Sequence, residues 1–593
     1  MNGEKITRND KKLKITLILS ALIIASFGLA VSWIYKVPFP FKDMLEIMEF
    51  LDRDPSFLQG ENFTHLQSME HRPAIPAYVW LLDRVAFNST GVFSLFISQL
   101  SLAMASLMAV YKWSGFSQGR KLSSFVILAS SISLTFSLLN FDNINRDMQL
   151  HMSLSFLFLV ISIYFAVKVN EKLLTGIPTS SSLFISLSSG VLAAFSFGYG
   201  LVTLPLLLAY SITMKWANKI VIIVLFTNVC LLLVYFNLPS QGFSNVGKLN
   251  IQVTDIITSL GYALTLIAGI FAGTDIYLLT PFEKSTFNQL AGLILLAAFL
   301  WGATSFIKHH QSLEREDRIC KGVALLITTA CLGGVLIITL SRPMETSGLV
   351  TRYFLLSTLF TLAIPGLLLP RQAVVNGRYH LYLAATFLTI SLAGHITNTA
   401  YPMRKWHNVT VSTIAAEMKI YDIVDHENFG PSLHEWPETI AEVWPRYANR
   451  IHLSEKIHPY SWFNRPLHTL FNTDAIGKCD AQVLSIQRIP NSTDSWHFSG
   501  RIKRLNPISL TQSWVIATNQ EETIVGLGAF GKSGEIESEE KPLNSYLDSK
   551  FDIDVTGFRG FIRSEQNQPL RFYIITKENI CGINNSQPLL NEM

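Results

Sequence analysis

Residues 15–35 read ITLILSALIIASFGLAVSWIY, an apolar run long enough to cross a bilayer as a helix. It follows MNGEKITRNDKKLK, whose five basic residues resemble the start of a signal peptide. No clean small-residue cleavage site comes after the run. We therefore expect it to remain as a first membrane span with its N-terminus in the cytoplasm.

The composition of the whole chain extends this membrane interpretation. Of 593 residues, 49% are hydrophobic and 15% are charged, and the mean hydropathy is +0.32, whereas soluble chains carry about 25% charged residues. The apolar content excludes a disordered chain, and a net charge of +4 is too small for a nucleic-acid-binding protein. Residues 398–593 hold 42 of the 90 charged residues, which predicts a soluble part after the membrane part.

Twelve apolar segments are candidate spans, and basic connections between them should face the cytoplasm. The basic connections can all lie on the cytoplasmic side only if one segment between residues 219 and 308 does not cross the membrane. Segment 255–273, which has three glycines, is expected to be re-entrant or to lie at the outer interface. About eleven crossings then remain, and segments 36–90, 140–150 and 341–352 lie outside with the C-terminal part. The candidates are 15–35, 91–111, 122–139, 151–168, 183–197, 199–214, 220–237, 255–273, 288–307, 322–340, 353–369 and 380–397.

The chain therefore divides into a mostly α-helical membrane domain, 1–397, and an extracytoplasmic C-terminal part. Residues 398–478 show no period-two pattern and are predicted to be a mostly helical connector. From 479 to 593, short β-branched and aromatic runs separated by turn residues predict an antiparallel β-sandwich. Its Trp496, Trp514 and Phe530 are either core or exposed carbohydrate-binding residues. Cys479 and Cys581 bracket this part and are either a disulfide or two buried free thiols.

The first external loop, 36–90, carries the strongest candidates for chemistry. It opens with PFPFKDMLEIMEFLDRD, in which Asp43 is either a general base or the cap of the following helix, and Glu46 can share its site. Further along, MEHRPAIPAYVWLLDR contains Glu70, His71 and Arg72. His71 and Arg72 can bind a phosphate, or Glu70 and Arg72 can form a loop ion pair.

Segment 140–150, NFDNINRDMQL, is a second polar cluster between apolar runs. Asn145, Arg146 and Gln149 are candidates for lining a pocket, although any turn between spans tends to be polar. Gln149 starts a span, so it should face the bundle interior or a water-filled cavity.

The third polar cluster is SRPMETSGLVTRYF, which begins at residue 341. Arg342 and Arg352 flank the turn and can bind a lipid phosphate, or they reach lipid headgroups without specificity. Tyr353, next to Arg352, either belongs to the same phosphate site or is an aromatic residue at the membrane interface.

Several familiar motifs are missing from the sequence. It contains no Walker loop, no GxGxxG after a strand, no HExxH, no close Cys/His cluster and no GxSxG. The sequence therefore predicts neither a metal site nor a bound cofactor.

The arrangement of a first span, an early Asp, a long external loop and many helices resembles the GT-C class of polytopic glycosyltransferases. It is most similar to a bacterial group with an EHR-type first loop, through the run FSFGYGLVTLPLLL at 195–208 and TRYF at 351–354. Serotype-modifying O-antigen glucosyltransferases are the functional comparison. The resemblance implies inverting, metal-independent transfer of a sugar from a polyprenyl phosphate to a cell-surface glycan.

The resemblance also implies roles for particular residues. The acidic residue of the family's first external loop maps onto Asp43, and its phosphate-contacting basic residues map onto Arg352, with Arg72 and Arg342 as further candidates. Such enzymes often carry a second acidic residue beside the first, whereas Lys42 and Met44 flank Asp43 here. Glu46 and Glu70 therefore remain rival bases.

The expected location is a bacterial inner membrane, with the C-terminal part in the periplasm. The expected partners are a polyprenyl-phosphate-linked sugar, a glycan acceptor and the bilayer, and no nucleic acid. Three other interpretations stay open: a polysaccharide polymerase, a transporter of lipid-linked sugars, and an inactive scaffold.

Overall fold

The computed structural model of the chain contains a helical unit and a β-rich unit. The helical unit holds most described residues up to Asn398, and the β-rich unit holds those from 400 onward with short segments at 34–36 and 84–87. The structure describes residues 8–36, 72–87, 90–114, 121–237, 253–272, 281–341, 353–370, 379–398, 400–418, 462–473, 476–489, 492, 494–503, 513–531, 555–564, 569–576 and 580–583.

Apolar helices dominate the first unit. Among the described residues, six helices are long and apolar enough to cross a membrane, or seven if the bent pair 122–135 and 138–145 counts as one span. The expected eleven crossings stay a prediction. The helices are α1 (Arg8–Ile34), α2 (Ala74–Phe87), α3 (Val92–Tyr111), α4 (Lys121–Thr135), α5 (Phe141–Asn145), α6 (Leu150–Leu174), α7 (Ser180–Ala194), α8 (Thr203–Thr213), α9 (Asn218–Asn237), α10 (Val253–Ile267), α11 (Gly269–Ala272), α12 (Pro281–His309), α13 (Arg315–Ser341), α14 (Phe354–Leu368), α15 (Tyr379–Thr397) and, in the second unit, α16 (Ala400–Glu417).

The outer helices expose large apolar side chains. Ile23 on α1 is 68% exposed, Phe226 on α9 is 69% exposed and Trp301 on α12 is 75% exposed. Soluble proteins rarely leave so much contiguous apolar surface in water. These helices are therefore compatible with an apolar surrounding such as a bilayer.

The inner helices pack through small and hydroxyl-bearing residues. α6 and α7 exchange two hydrogen bonds: Ser162 Oγ donates to the Ser186 carbonyl at 2.7 Å, and Ser186 Oγ donates to the Ser162 carbonyl at 2.8 Å. Small residues let helix backbones approach closely. In lipid, where the hydrophobic effect does not drive helices together, this close packing stabilises their association. The two helices thus form a tight pair in the interior.

Helices α10 and α12 run side by side in the same direction. Gly261 lies beside Gln289, and three residues further along both helices Gly292 lies against Leu264, where an added Cβ would overlap the Leu264 carbonyl. α10 then breaks at Ala268, before α11. Two consecutive helices that point in the same direction can both cross a membrane only if the chain between them crosses it in the opposite direction.

Basic residues collect at one end of the helical unit, which we call the basic end. Lys14 at the start of α1 donates to Ser123 at the start of α4 at 2.9 Å. Lys112, which follows α3, lies over the ring of Tyr164, and its carbonyl accepts from Cys320 at 3.2 Å. Helix starts and ends from different parts of the chain therefore share this basic end.

The described residues of the β-rich unit form one sheet of eight strands, rather than the predicted sandwich of two facing sheets. The strand order is β1-β8-β7-β4-β5-β6-β3-β2. Every neighbouring pair is antiparallel except β1 and β8. The strands are β1 (Gly477–Cys479), β2 (Ala481–Arg488), β3 (Ser495–Lys503), β4 (Trp514–Thr518), β5 (Ile524–Gly531), β6 (Val555–Arg563), β7 (Arg571–Ile575) and β8 (Ile580–Ile583).

The sheet curves into a half-barrel. Its edge strands β1 and β2 are separated only by Asp480. Phe498 on β3 and Phe572 on β7 have ring centroids 5.2 Å apart, although three strands lie between β3 and β7 in the sheet. Rings from distant strands therefore meet inside the curve and form one core. A disulfide joins Cys479 on β1 to Cys581 on β8, with a Cα–Cα distance of 5.4 Å.

Helix α16 packs on the opposite face of the sheet. Ile414 on α16 and Met418, which follows the helix, join Leu527 and Phe561 in a second core. The predicted connector 398–478 is thus helical over α16, while residues 419–461 lie outside the described part. Of the aromatic residues that the sequence left open, Trp496 and Phe530 are buried in the half-barrel core, whereas Trp514 is half-buried and packs against the α16 side.

A buried polar cluster lies between α16 and the sheet. His407 on α16, His497 on β3 and Arg559 on β6 form it, with Arg559 Nε 3.3 Å from His407 Nε2. Burial is the main reason that the pKa of each histidine falls to about 3, and the nearby Arg559 lowers both further. Both histidines are therefore neutral near pH 7.

Candidate functional site

The candidate site is built on residues Leu138–Gln149, which connect α4 to α6. The sequence predicted a polar turn between two spans, and the structure buries all of residues 138–145. The segment consists of a 3-10 turn, the short helix α5 and a second 3-10 turn, and it bends away from α4 by 41°. Irregular backbone at membrane depth occurs where it is enclosed by protein or lines a cavity.

Asn140 fixes the start of this segment. Its Nδ2 donates to the carbonyls of Leu134 and Thr135, each at 3.2 Å, and to Thr358 Oγ1 at 3.1 Å. The first two bonds satisfy carbonyls that the end of α4 leaves without helical partners. The third attaches the segment to the first turns of α14.

Gln99 and Asn145 attach the segment to the end of the first span. Gln99 Nε2 donates to the Ile144 carbonyl at 2.7 Å and to Ser32 Oγ at 3.0 Å, and its Oε1 accepts from Trp33 at 3.1 Å. Asn145 Nδ2 donates to the Ser32 carbonyl at 2.8 Å. The sequence did not single out Gln99, because one amide within an apolar run is a weak signal.

Arg146 forms an ion pair within the segment, with its Nη2 3.3 Å from Asp142 Oδ1. Both side chains are largely buried, so each neutralises the other where solvent is scarce. Asn145 and Arg146, two of the predicted pocket residues, are thus engaged by the protein itself.

Gln149 and Asn143 differ from their neighbours. Both side chains are buried, and neither amide group has a hydrogen-bond partner among the described residues. An unsatisfied buried polar group costs about 1–3 kcal/mol. Their donors and acceptors are available to a water, a ligand or the part of the chain outside the described residues, and Gln149 agrees with the predicted inward orientation.

Aromatic residues cover the side of the segment that leads into α6. His151 Nδ1 contacts the Met148 carbonyl, and its ring lies 4.5 Å from that of Phe197. The Tyr199 hydroxyl donates to the Met152 carbonyl at 2.7 Å. The FSFGYG run at 195–200 therefore packs against the start of α6, next to Gln149.

Arg72 lies just before α2 and is 1% exposed. Its guanidinium is stacked 5.5 Å from the centre of the Tyr235 ring. Burial lowers the pKa of Arg72 below its usual value, and Tyr235 opposes that shift. Arg72 is therefore a buried cation in contact with an aromatic ring, and Glu70, its predicted ion-pair partner, lies outside the described residues.

Tyr353 is buried, with 4% exposure. It precedes α14, whose Ser357 holds the break between α10 and α11: Ser357 Oγ donates to the Ile267 carbonyl at 2.8 Å and accepts from Ile270 N at 2.9 Å. The first turns of α14 thus contact both this break and Asn140.

Six of the predicted site residues lie outside the described part of the chain. They are Asp43, Glu46, Glu70, His71, Arg342 and Arg352. Within the described ranges, no three His, Cys, Asp or Glu side chains come together as metal ligands.

Comparisons with known proteins do not add a family to this description. No family model matches the chain, and no curated protein or solved structure is detectably similar to it. The resemblance to GT-C enzymes therefore depends on the residues of this chain alone.

Proposed function

We propose that the chain is a GT-C-type glycosyltransferase that moves a sugar from a polyprenyl phosphate to a cell-surface glycan. The convergence of two chain segments on Leu138–Gln149 supports this proposal. The end of α1, which precedes Asp43 in the sequence, and the first turns of α14, which follow Arg352, both hydrogen-bond to that buried polar segment.

The distribution of charge supports an orientation in the membrane. Basic residues at the ends of spans mark the cytoplasmic side, so the basic end faces the cytoplasm and Leu138–Gln149 faces the periplasm of a bacterial inner membrane. The parallel course of α10 and α12 favours a segment 255–273 that does not cross. A disulfide in the second unit suits an oxidising compartment.

The proposed reaction is an inverting substitution. Asp43 removes a proton from the acceptor hydroxyl, and the hydroxyl oxygen bonds to the anomeric carbon as the bond from that carbon to the donor phosphate breaks. The polyprenyl phosphate leaves with the electron pair, and Arg352, helped by Arg72 and Arg342, neutralises its charge. Such electrostatic stabilisation is large in a site that excludes water.

The test is glycan analysis of a deletion strain that expresses the wild type or a single variant. Removing a general base costs about 10²–10⁴-fold in rate, so Asp43→Asn should abolish most sugar transfer. Glu46→Gln and Glu70→Gln are the matched controls, because each removes one carboxylate from the same external loop. Equal amounts of each variant in the membrane fraction show that the protein is made and inserted.

If Asp43→Asn keeps full sugar transfer, the general base is instead the residue, Glu46 or Glu70, whose substitution abolishes transfer. Loss of long glycan chains rather than of one sugar substituent would instead indicate a polymerase. If all three variants behave as wild type, the chain is a scaffold without transferase activity.

A second candidate is a transporter of lipid-linked sugars, favoured by the interrupted helices α4–α5 and α10–α11, since transporters often bind substrate at broken helices. Purified protein in vesicles separates the two functions. A transferase forms a new glycosidic bond when donor and acceptor are on the same side, whereas a transporter moves the donor across without consuming it.

A further inference from the structure

A cavity lies at the basic end of the helical unit, away from the proposed transfer site. It has a volume of about 210 Å³ and lies between the last turns of α6 and the first turn of α13. One of its lining residues, Glu171, lies 22 residues after Gln149 along α6. At 1.5 Å per residue, the cavity is therefore about 33 Å from that end of the proposed transfer site. Roughly 10–15 Å³ of such space holds one water, so the cavity admits a polyatomic group. Its lining consists of Val167, Asn170, Glu171, Leu174, Thr175, Arg315, Arg318 and Ile319.

The charged side chains of the lining leave a positive charge in excess. Arg315 pairs with Glu171, the only carboxylate in the lining. Arg318 donates to the carbonyls of Gln311 at 3.2 Å and Leu313 at 2.9 Å, and it makes no ion pair with any residue that the structure describes. Its Nε is buried and lacks a hydrogen-bond partner there. The cavity lining therefore holds two guanidinium groups and one carboxylate.

The opposite wall of the cavity is apolar and reaches the surface. Leu174, which lines it, is 61% exposed, and nearby Ile177 is 51% exposed. A ligand that fits must combine an anion with hydrocarbon. Guanidinium groups bind phosphate oxygens through parallel N–H donors, and anionic phospholipids bind in basic pockets between helices at the cytoplasmic face.

We infer that this cavity binds the phosphate group of an anionic phospholipid, through Arg318, in the leaflet next to the basic end. The phosphate contacts the guanidinium, and the acyl chains lie along Leu174 and Ile177. This site is independent of sugar transfer, so its test does not depend on the proposed function.

The test measures lipid retention by the purified full-length chain in nanodiscs, using native mass spectrometry. Wild-type protein should retain phosphatidylglycerol in preference to phosphatidylcholine, and Arg318→Gln should reduce that retention at least tenfold. Lys219→Gln is the matched control: it removes one positive charge from an exposed residue that does not line the cavity. It should retain lipid as the wild type does.

Glu171→Gln gives the opposite expectation. Removing the only lining carboxylate raises the positive charge of the cavity, so retention should increase severalfold, which loss of folding cannot produce. Inorganic phosphate added in a separate arm shows whether free phosphate occupies the same site by displacing the lipid. The inference is overturned if Arg318→Gln and Lys219→Gln behave alike, or if Glu171→Gln weakens retention.

Discussion

His407 and His497 lie beside Arg559 in the packed interior of the β-rich unit, where an added proton would be poorly solvated. The folded-state pKa of each histidine, about 3, lies far below the usual value of 6.5. The unfolded chain therefore binds more protons than the folded chain between these two pH values. The stability that the neutral histidines provide is complete above about pH 6.5 and falls as the pH drops toward 3.

Acidification should therefore loosen α16 from the sheet. At pH 5, each histidine is expected to lower the free energy of unfolding by about 2 kcal/mol relative to pH 7. Hydrogen exchange of the β3 and β6 amides in the full-length protein measures this effect across pH. In the double variant His407→Gln/His497→Gln the pH dependence should largely disappear, and a wild-type slope in that variant would contradict the assignment.

The proposed function predicts that the Gln149 amide binds a ligand, whereas the Asn140 amide has a structural role. Asn140→Leu removes the donor that bonds the Leu134 and Thr135 carbonyls and Thr358 Oγ1, so thermal unfolding should show a loss of at least about 2 kcal/mol. Gln149→Leu removes an amide without a described partner, so stability should hardly change while sugar transfer falls at least tenfold. An equal loss of stability in both variants would mean that Gln149 has a partner within the protein.

At the residue level, the sequence predicted which positions of the site are polar better than it predicted their hydrogen-bond partners. Gln149 stands out as an amide at the start of an apolar run, and the structure places it inside. The internal use of Asn145 was not predictable, because its partner, Ser32, is 113 residues away. Local spacing carries no information about such a tertiary contact.

At the level of elements, α10 and α12 depend on close contact between backbones. Gly292→Ala should destabilise the protein by about 1–3 kcal/mol, because its Cβ would overlap the fixed Leu264 carbonyl. Gly261→Ala is the matched control on the partner helix, since its Cβ meets only the flexible end of Gln289, at 3.0 Å. Thermal unfolding in detergent compares them, and equal behaviour would contradict this packing.

Apolar runs predicted the helices well, whereas the helix breaks and the pairing of the strands became visible only in the structure. The runs at 15–35 and 220–237 match α1 and α9 because an uninterrupted apolar run has one stable solution in lipid. Strand patterns likewise predicted β2 to β7. They could not give the strand order, because β1 pairs with β8 from the other end of the domain and no local pattern encodes that pairing.

At the level of the whole molecule, the disulfide closes a long loop. Cys479 and Cys581 are 102 residues apart, and a loop of that size is associated with a stabilisation of up to about 4.7 kcal/mol. The double variant Cys479→Ala/Cys581→Ala should therefore unfold about 2–5 kcal/mol more easily in chemical denaturation. Cys230→Ala, which removes a free cysteine, should not change stability, and an unaffected double variant would show that the bridge contributes nothing.

The half-barrel also has a consequence for how the chain is made. Among the described strands, β1 pairs only with β8, which leaves the ribosome about 100 residues later, or roughly 5–20 s at ordinary translation speeds. During that interval the backbone N–H and C=O groups of β1 lack the strand with which they pair in the folded sheet. The domain can therefore finish folding only after nearly all of it has been synthesised, which makes this stage of biogenesis the one most exposed to aggregation or to a holding chaperone.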